Sequence, residues 1–156
     1  MILWRIAAET RTYQATDLTG EGAARYPGRW NDAGERVVYA APTVAMATLE
    51  TAAHVDDAGL PLDRFLVRID VPDLVWSQHH GLGPADLPTT WCSIPAGSGS
   101  VGVGSKWIQS AASAILLVPS VIVPEEPIVL INPLHPDAKQ ITAVALRRFE
   151  YSALFR

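Results

Sequence analysis

Val37-Val38-Tyr39-Ala40-Ala41-Pro42-Thr43-Val44-Ala45-Met46-Ala47-Thr48-Leu49-Glu50 changes its periodicity half way along. Val37 to Ala40 has the β-branched and aromatic character of a short strand. Pro42 interrupts it, Thr43 is a residue type that caps helices, and from Val44 onward Met46, Ala47, Leu49, Glu50 and Ala53 recur at helical spacing to about His54. A strand that hands over to a helix, in a chain whose other apolar runs are short, predicts an α+β fold with few helices.

The same pattern extends outward. Upstream, Leu3 to Ile6 reads as a short strand, and Thr10 to Asn31, rich in Gly and polar residues, reads as loop. Downstream, Phe65, Val67, Ile69 and Val71 alternate with Leu66, Arg68 and Asp70, the pattern of a strand with one wetter face. Ala96 to Ser105 alternates Gly and Ser and is expected to be a mobile loop, best placed as a lid over a cleft. Trp107 to Leu116 is a predicted helix, Leu117 to Val123 a strand pair or a strand kinked around Pro119, and Val129 to Asn132 a further strand. Phe149 to Tyr151 is expected to form an edge strand. At 156 residues the whole of 1–156 is expected to be a single domain.

Composition excludes several classes of function. Hydrophobic residues are 49% and charged residues 18%, enough apolar surface for a core and too little charge for a disordered tail. A net charge of −4 with no run of Lys or Arg argues against direct binding of nucleic acid, which needs a concentrated positive field. The N-terminal apolar run, Met1 to Ile6, is too short for a signal peptide, and Ala111 to Val123 is too short and too interrupted to span a membrane. A cytoplasmic location is the resulting expectation. The single cysteine, Cys92, excludes an internal disulfide and reads as an inert core thiol.

The densest cluster of chemistry-bearing residues is Arg25-Tyr26-Pro27-Gly28-Arg29-Trp30-Asn31, followed by Tyr39 and Glu50. Gly28 permits close backbone approach, and Arg29 offers a planar fork of donors for phosphate oxygens. Trp30 or Tyr39 suits stacking on an aromatic ring, while Glu50 suits a sugar hydroxyl or positive charge growing on a ribose. A nucleotide fits this set. From spacing alone a second reading stays open, in which Arg29 and Glu50 are a surface ion pair and Trp30 and Tyr39 are core aromatics.

Taken in order, Trp4-Arg5-Ile6, Gly28-Arg29-Trp30-Asn31, Val38-Tyr39-Ala40-Ala41, Ala47-Thr48-Leu49-Glu50, Val118-Pro119-Ser120-Val121-Ile122-Val123-Pro124 and Leu130-Ile131-Asn132-Pro133-Leu134-His135-Pro136 resemble the RES domain from end to end. The arginine, glutamate and serine for which that family is named fall on Arg29, Glu50 and Ser120. The resemblance implies an ADP-ribosyltransferase-like mixed-sheet core with flanking helices, and a toxin that depletes NAD+. Cleavage of the nicotinamide–ribose bond would proceed by phosphorolysis, with inorganic phosphate as co-substrate and ADP-ribose-1″-phosphate as product, or by hydrolysis. It further implies an Xre-like antitoxin that covers the cleft, and no metal or other cofactor.

Carried over residue by residue, the resemblance makes Arg29, Tyr39 and Glu50 the catalytic set. Arg29 holds the pyrophosphate or incoming phosphate, Tyr39 stacks on nicotinamide or ribose, and Glu50 steadies the oxocarbenium-like ribose. Arg5, Gly28, Trp30, Asn31 and Ser120 are the expected substrate-binding residues. Ser120 also has a local reading, a Pro-Ser bend whose hydroxyl satisfies nearby backbone. His79, His80 and His135 are expected in loops rather than at a metal, and Trp91 and Trp107 in the core. Two other functions remain open: mono-ADP-ribosylation of a protein target, and a catalytically silent module that only holds nucleotide or antitoxin. A homo-oligomer is equally compatible with the sequence.

Overall fold

The computed structural model describes residues 1–55 and 60–154. Two β-sheets face each other. The first is antiparallel in the order β1 (Ile2–Ala8), β3 (Arg64–Asp70), β7 (Thr142–Phe149), with Arg5 opposite Val67 and a bulge between Leu66 and Val67 on the β7 side. The second runs β2 (Val38–Ala40), β6 (Pro127–Ile131), β5 (Ile115–Pro119), β4 (His80–Gly81). Reciprocal 2.8 Å backbone bonds between Trp4 and Ala41 join the two sheets edge to edge.

Alternation along the strands explains the layering. Leu3, Ala7, Val67 and Ile69 from the first sheet meet Val38, Ala40, Ile115, Val129 and Ile131 from the second, and all of these are buried. The opposite face of the second sheet, with Val37, Leu116, Val118, Ile128 and Leu130, is covered by Trp30, Trp91, Trp107 and Ile108. The outer face of the first sheet, with Ile6, Leu66 and Phe149, is packed by Val44 and Ala52 of the helix that follows β2. This α+β arrangement matches the predicted class, and Trp91 and Trp107 are core residues as expected.

Helix α1 is the single turn Glu21–Arg25 inside the predicted loop. Helix α2, Val44–Ala52, begins where the sequence places it, and the Thr43 hydroxyl accepts from the Met46 amide at 3.1 Å. Helix α3 is the short Asp73–Trp76.

The Gly-Ser run departs from expectation. Ser98–Ser110 is a thirteen-residue helix, α4, rather than a mobile lid, and the helix predicted over Trp107–Leu116 ends at Ser110 and gives way to β5. Glycine lowers intrinsic helix stability, but here its missing side chain allows contact. A Cβ on Gly104 would lie 1.7 Å from the Trp30 carbonyl oxygen, so α4 rests directly on the backbone of the 28–31 segment and buries Trp107 and Ile108. Ala111, with φ 48°, closes the helix in the left-handed region.

Smaller differences follow from pairing. Pro119 is the last residue of β5 rather than the centre of a bent strand, and the predicted edge strand lies at Thr142–Phe149, with Tyr151 in a 3₁₀ turn. No helix among the described residues is long and apolar enough to cross a membrane, and no group of three His, Cys, Asp or Glu is placed to hold a metal.

Candidate functional site

The segment between α1 and β2 is built around Asn31, whose side chain is fully buried. Its Nδ2 donates to the carbonyls of Ala23 (2.9 Å), Asp32 (3.1 Å) and Glu35 (3.2 Å), and its Oδ1 accepts from the Gly28 amide (2.9 Å) and the Tyr39 hydroxyl (2.8 Å). Tyr39 in turn accepts from the Trp30 amide at 3.0 Å. Gly28 lies flat on the Tyr39 ring, where a Cβ would come within 2.6 Å of the phenol oxygen. Burial pushes the Tyr39 hydroxyl far above the ordinary phenol range; the Trp30 amide and the Arg29 charge oppose that shift without overcoming it. Tyr39 is thus a neutral bridge that fixes the Gly28–Asn31 turn.

This geometry corrects two expected ligand contacts. Trp30 is 1% exposed and stacks on Trp91 (centroids 6.2 Å, planes 22° apart), so its indole packs the core. Asn31 has every polar atom of its side chain engaged by protein, and it organises the turn from inside. Removing a buried indole of this kind typically costs about 3–5 kcal/mol.

Arg29 sits on the rim of the turn that Asn31 and Tyr39 hold. Its Nη1 donates to the carbonyls of Trp91 (2.9 Å) and Ser93 (2.8 Å). Its Nε and Nη2 make no hydrogen bond among the described residues. Arg25, by contrast, pairs with Glu21 one helical turn away. The predicted alternative of a surface pair between Arg29 and Glu50 is not what the chain forms. Cys92, expected in the core, is exposed between the two residues that Arg29 holds.

Glu50 and Ser120 come together because of strand direction. β2 and β5 are both antiparallel to β6, hence parallel to each other, so the end of β2 that leads into α2 and the end of β5 that leads to Ser120 lie at the same end of the sheet. Met46 and Ala47 seat α2 against Trp4, Ala41 and Val123, and Glu50, four and three residues further on, shares that face. The Ser120 hydroxyl donates to Glu50 Oε1 at 2.5 Å and accepts from the amides of Ile122 (3.0 Å) and Val123 (3.1 Å). Both readings of Ser120 meet here: it bends the chain after Pro119, and the same oxygen orients the carboxylate. Its single proton is committed to Glu50, so it positions Glu50 rather than offering a donor to a ligand.

Arg5 lies on the inner face of β1 with Leu3 and Ala7, and donates to the Asp17 carbonyl (3.0 Å) and the Tyr13 hydroxyl (3.2 Å). Tyr13 and Asp17 also line an open cavity of about 370 Å³ with Arg11 and Gln14; a second, of about 390 Å³, is lined by Leu18, Arg36, Ile131 and Lys139. Neither is lined by Arg29, Glu50 or Ser120. Sequence reasoning missed Glu35, whose carboxylate accepts from Ser105 (2.5 Å), the Asp32 amide (2.8 Å) and Gln109 (3.1 Å), clasping α4 to the turn. Partial burial, the largest single influence, raises the Glu35 carboxyl, but the three bonds together hold it below the ordinary carboxylate value. His79 packs against Trp76 with the rings tilted by 31° (centroids 4.7 Å apart), and His80 opens β4.

A family model described as the RES domain matches residues 2–152. The chain is 53% identical over 148 residues to the Prs ADP-ribosylating toxin of Sphingobium sp. (strain YBL2), covering 95% of this chain and 92% of that protein. It is 41% identical over 135 residues to Toxin Res of Yersinia enterocolitica, covering 86% of each. Among solved structures it resembles a chain of the M. tuberculosis MbcT–MbcA toxin–antitoxin complex, with a TM-score of 0.65 at 21% identity over 93% of this chain and 83% of that one, a likeness of fold. Matched by the RES model along nearly its whole length, and close in sequence to toxins of that kind, the chain belongs to the RES-domain toxin family.

Proposed function

We propose that this chain is the toxin of a toxin–antitoxin pair and that it cleaves the nicotinamide–ribose bond of NAD+, transferring ADP-ribose to inorganic phosphate or to water. The observation that carries the reading is the Ser120–Glu50 bond. It holds one carboxylate oxygen in place and leaves the other for a ribose hydroxyl, beside which positive charge develops as the glycosidic bond breaks. The bonding electron pair leaves with the pyridinium nitrogen, which becomes neutral nicotinamide, so departure needs no proton donor. An anionic oxygen of phosphate, or the oxygen of water with loss of its proton to solvent, then supplies the new bond to the anomeric carbon. Positioning and electrostatics suffice for this chemistry, which calls for no metal or further cofactor.

Arg29 presents its Nε–Nη2 edge, the geometry suited to two oxygens of a pyrophosphate or an incoming phosphate. Gly28, with no side chain, lets a ligand approach the backbone next to it. An Xre-like antitoxin that covers this region is part of the proposal, supported by the fold shared with a chain solved in a toxin–antitoxin complex. A second reading, transfer of ADP-ribose to a protein, is favoured by one specific observation: the relative at 53% identity is named for ADP-ribosylating Prs.

One incubation separates the readings. Purified protein is given NAD+ labelled in the adenine ring, with and without phosphate and with and without purified Prs, and products are identified by mass. Nicotinamide with ADP-ribose-1″-phosphate is the result expected of phosphorolysis, and nicotinamide with free ADP-ribose that of hydrolysis. Label retained on Prs establishes the transferase instead. A folded Glu50→Ala protein should lose turnover by at least about a hundredfold, because Glu50 acts on charge present only near the transition state; undiminished turnover overturns the mechanism.

A further inference from the structure

Two consecutive residues of the 28–31 turn reach the same distant segment by different means. Trp30 stacks its indole on Trp91, and Arg29 donates both Nη1 protons to the carbonyls of Trp91 and Ser93, 62 and 64 residues away. Apart from the core packing of the Trp91 side chain, the hydrogen bonds of the segment's own amides are local: the Trp91 amide bonds to the Pro88 carbonyl (2.9 Å) and the Ser93 amide to the Thr90 carbonyl (3.1 Å). Within it Cys92, and just beyond it Ile94, are open to solvent, Ile94 at 85% exposure. Meanwhile the Nε–Nη2 edge of the same guanidinium has no partner among the described residues, and the turn that carries it is braced by Tyr39, Asn31 and the contact with Gly104.

We propose that Arg29 is a two-sided bridge: its Nη1 positions the Trp91–Ser93 segment as a wall of the site while its Nε–Nη2 edge takes a phosphate-type anion, so that anion binding tightens the wall. The anion side rests on the proposed function; the wall side does not. A guanidinium can do both because its donors point along separate edges of one plane, whereas a lysine ammonium is a point donor that cannot span two carbonyls and an anion. The bonded edge need not be released when the free edge fills. An anion there fixes the guanidinium and so lowers the chance that Nη1 leaves its carbonyls. The two events are therefore coupled with positive sign, and the coupling is reciprocal.

The test is site-resolved amide exchange at Trp91 and Ser93 in the full-length protein, with amides of β3 as the internal control for global opening. In the absence of ligand, Arg29→Lys and Arg29→Ala should each speed exchange at both positions by about tenfold while β3 amides keep their rates. Inorganic pyrophosphate added to the unmodified protein should slow exchange at both positions, and should do nothing in either variant. Unchanged exchange in folded variants overturns the bridge, whatever the enzymatic activity proves to be. Faster exchange on adding pyrophosphate means that the anion competes for Nη1, and overturns the positive coupling; no response of the unmodified protein overturns the anion edge. Should a variant unfold, seen as loss of β3 protection, the pyrophosphate arm on the unmodified protein still decides. Loss of turnover in Glu50→Ala tests the proposed reaction separately, so the two readings fail by different measurements.

Discussion

Replacing Ser120 by alanine removes one oxygen that makes three hydrogen bonds: a donated bond to Glu50 and accepted bonds from the amides of Ile122 and Val123. A bond to a charged group contributes about 1.5–3 kcal/mol. The two amide bonds add less, roughly 0.5–1 kcal/mol together, because Ile122 is 38% exposed and water can reach the turn. The sum is a loss of about 2–4 kcal/mol, or on the order of 10 °C in Tm for a domain of this size. That total alone does not test the role assigned to Ser120. A double-mutant cycle does: Ser120→Ala, Glu50→Ala and the pair, each followed by urea denaturation. If the hydroxyl holds the carboxylate, the second substitution costs less once the first is made, and the coupling energy is about 1–3 kcal/mol. Additivity within about 0.5 kcal/mol would refute the argument, because it would mean that the Ser120 hydroxyl serves only its own turn.

Glycines in α4 should respond in opposite directions. Gly104→Ala drives a Cβ into the Trp30 carbonyl and should cost about 3 kcal/mol or more, whereas Gly102→Ala, with nothing within 4 Å of the new atom, should stabilise by about 0.5–1 kcal/mol, both read from urea midpoints. A depressed Glu35 carboxyl contributes stability that is present above its ordinary value of 4.5 and is lost as pH falls from there through the lower folded value. The stability gap between the unmodified protein and Glu35→Gln should therefore be constant near neutrality and shrink below that pH; a gap that widens on acidification would contradict the clasp between Glu35, Ser105 and Gln109.

Much of the fold was legible where the determining interactions are local. Pro42 and Thr43 place the start of α2 to the residue because a cap acts on an amide three positions away. The alternation through Arg64–Asp70 defines β3, and the burial of its Val67 and Ile69 follows from the side-chain period of two. Glu50 is readable as belonging to the packed face of its helix once Met46 and Ala47 are assigned to it. The family resemblance singles out Arg29, Glu50 and Ser120, and the chain brings two of these into direct contact.

Other features depended on partners that carry no mark in the sequence. Ala96 to Ser105 has the composition of a loop, yet it forms most of a helix, because a glycine that is poor for an isolated helix is what allows α4 to lie on the Trp30 backbone. Trp30 and Asn31 look like ligand-binding residues beside an arginine, and they turn inward because Trp91 and the Tyr39 hydroxyl complete their contacts from elsewhere in the chain. Arg29 spends one edge on main-chain carbonyls, which every residue possesses and no motif can announce. The Ser120–Glu50 bond joins residues 70 positions apart through the direction of two strands flanking β6. By itself, then, the amino-acid sequence determined the elements governed by short-range periodicity and capping, and it named the candidate residues of the site. The tertiary structure alone decided which of those residues turn into the protein and which meet one another, since that depends on strand direction, close backbone approach and carbonyl acceptors supplied from distant parts of the chain.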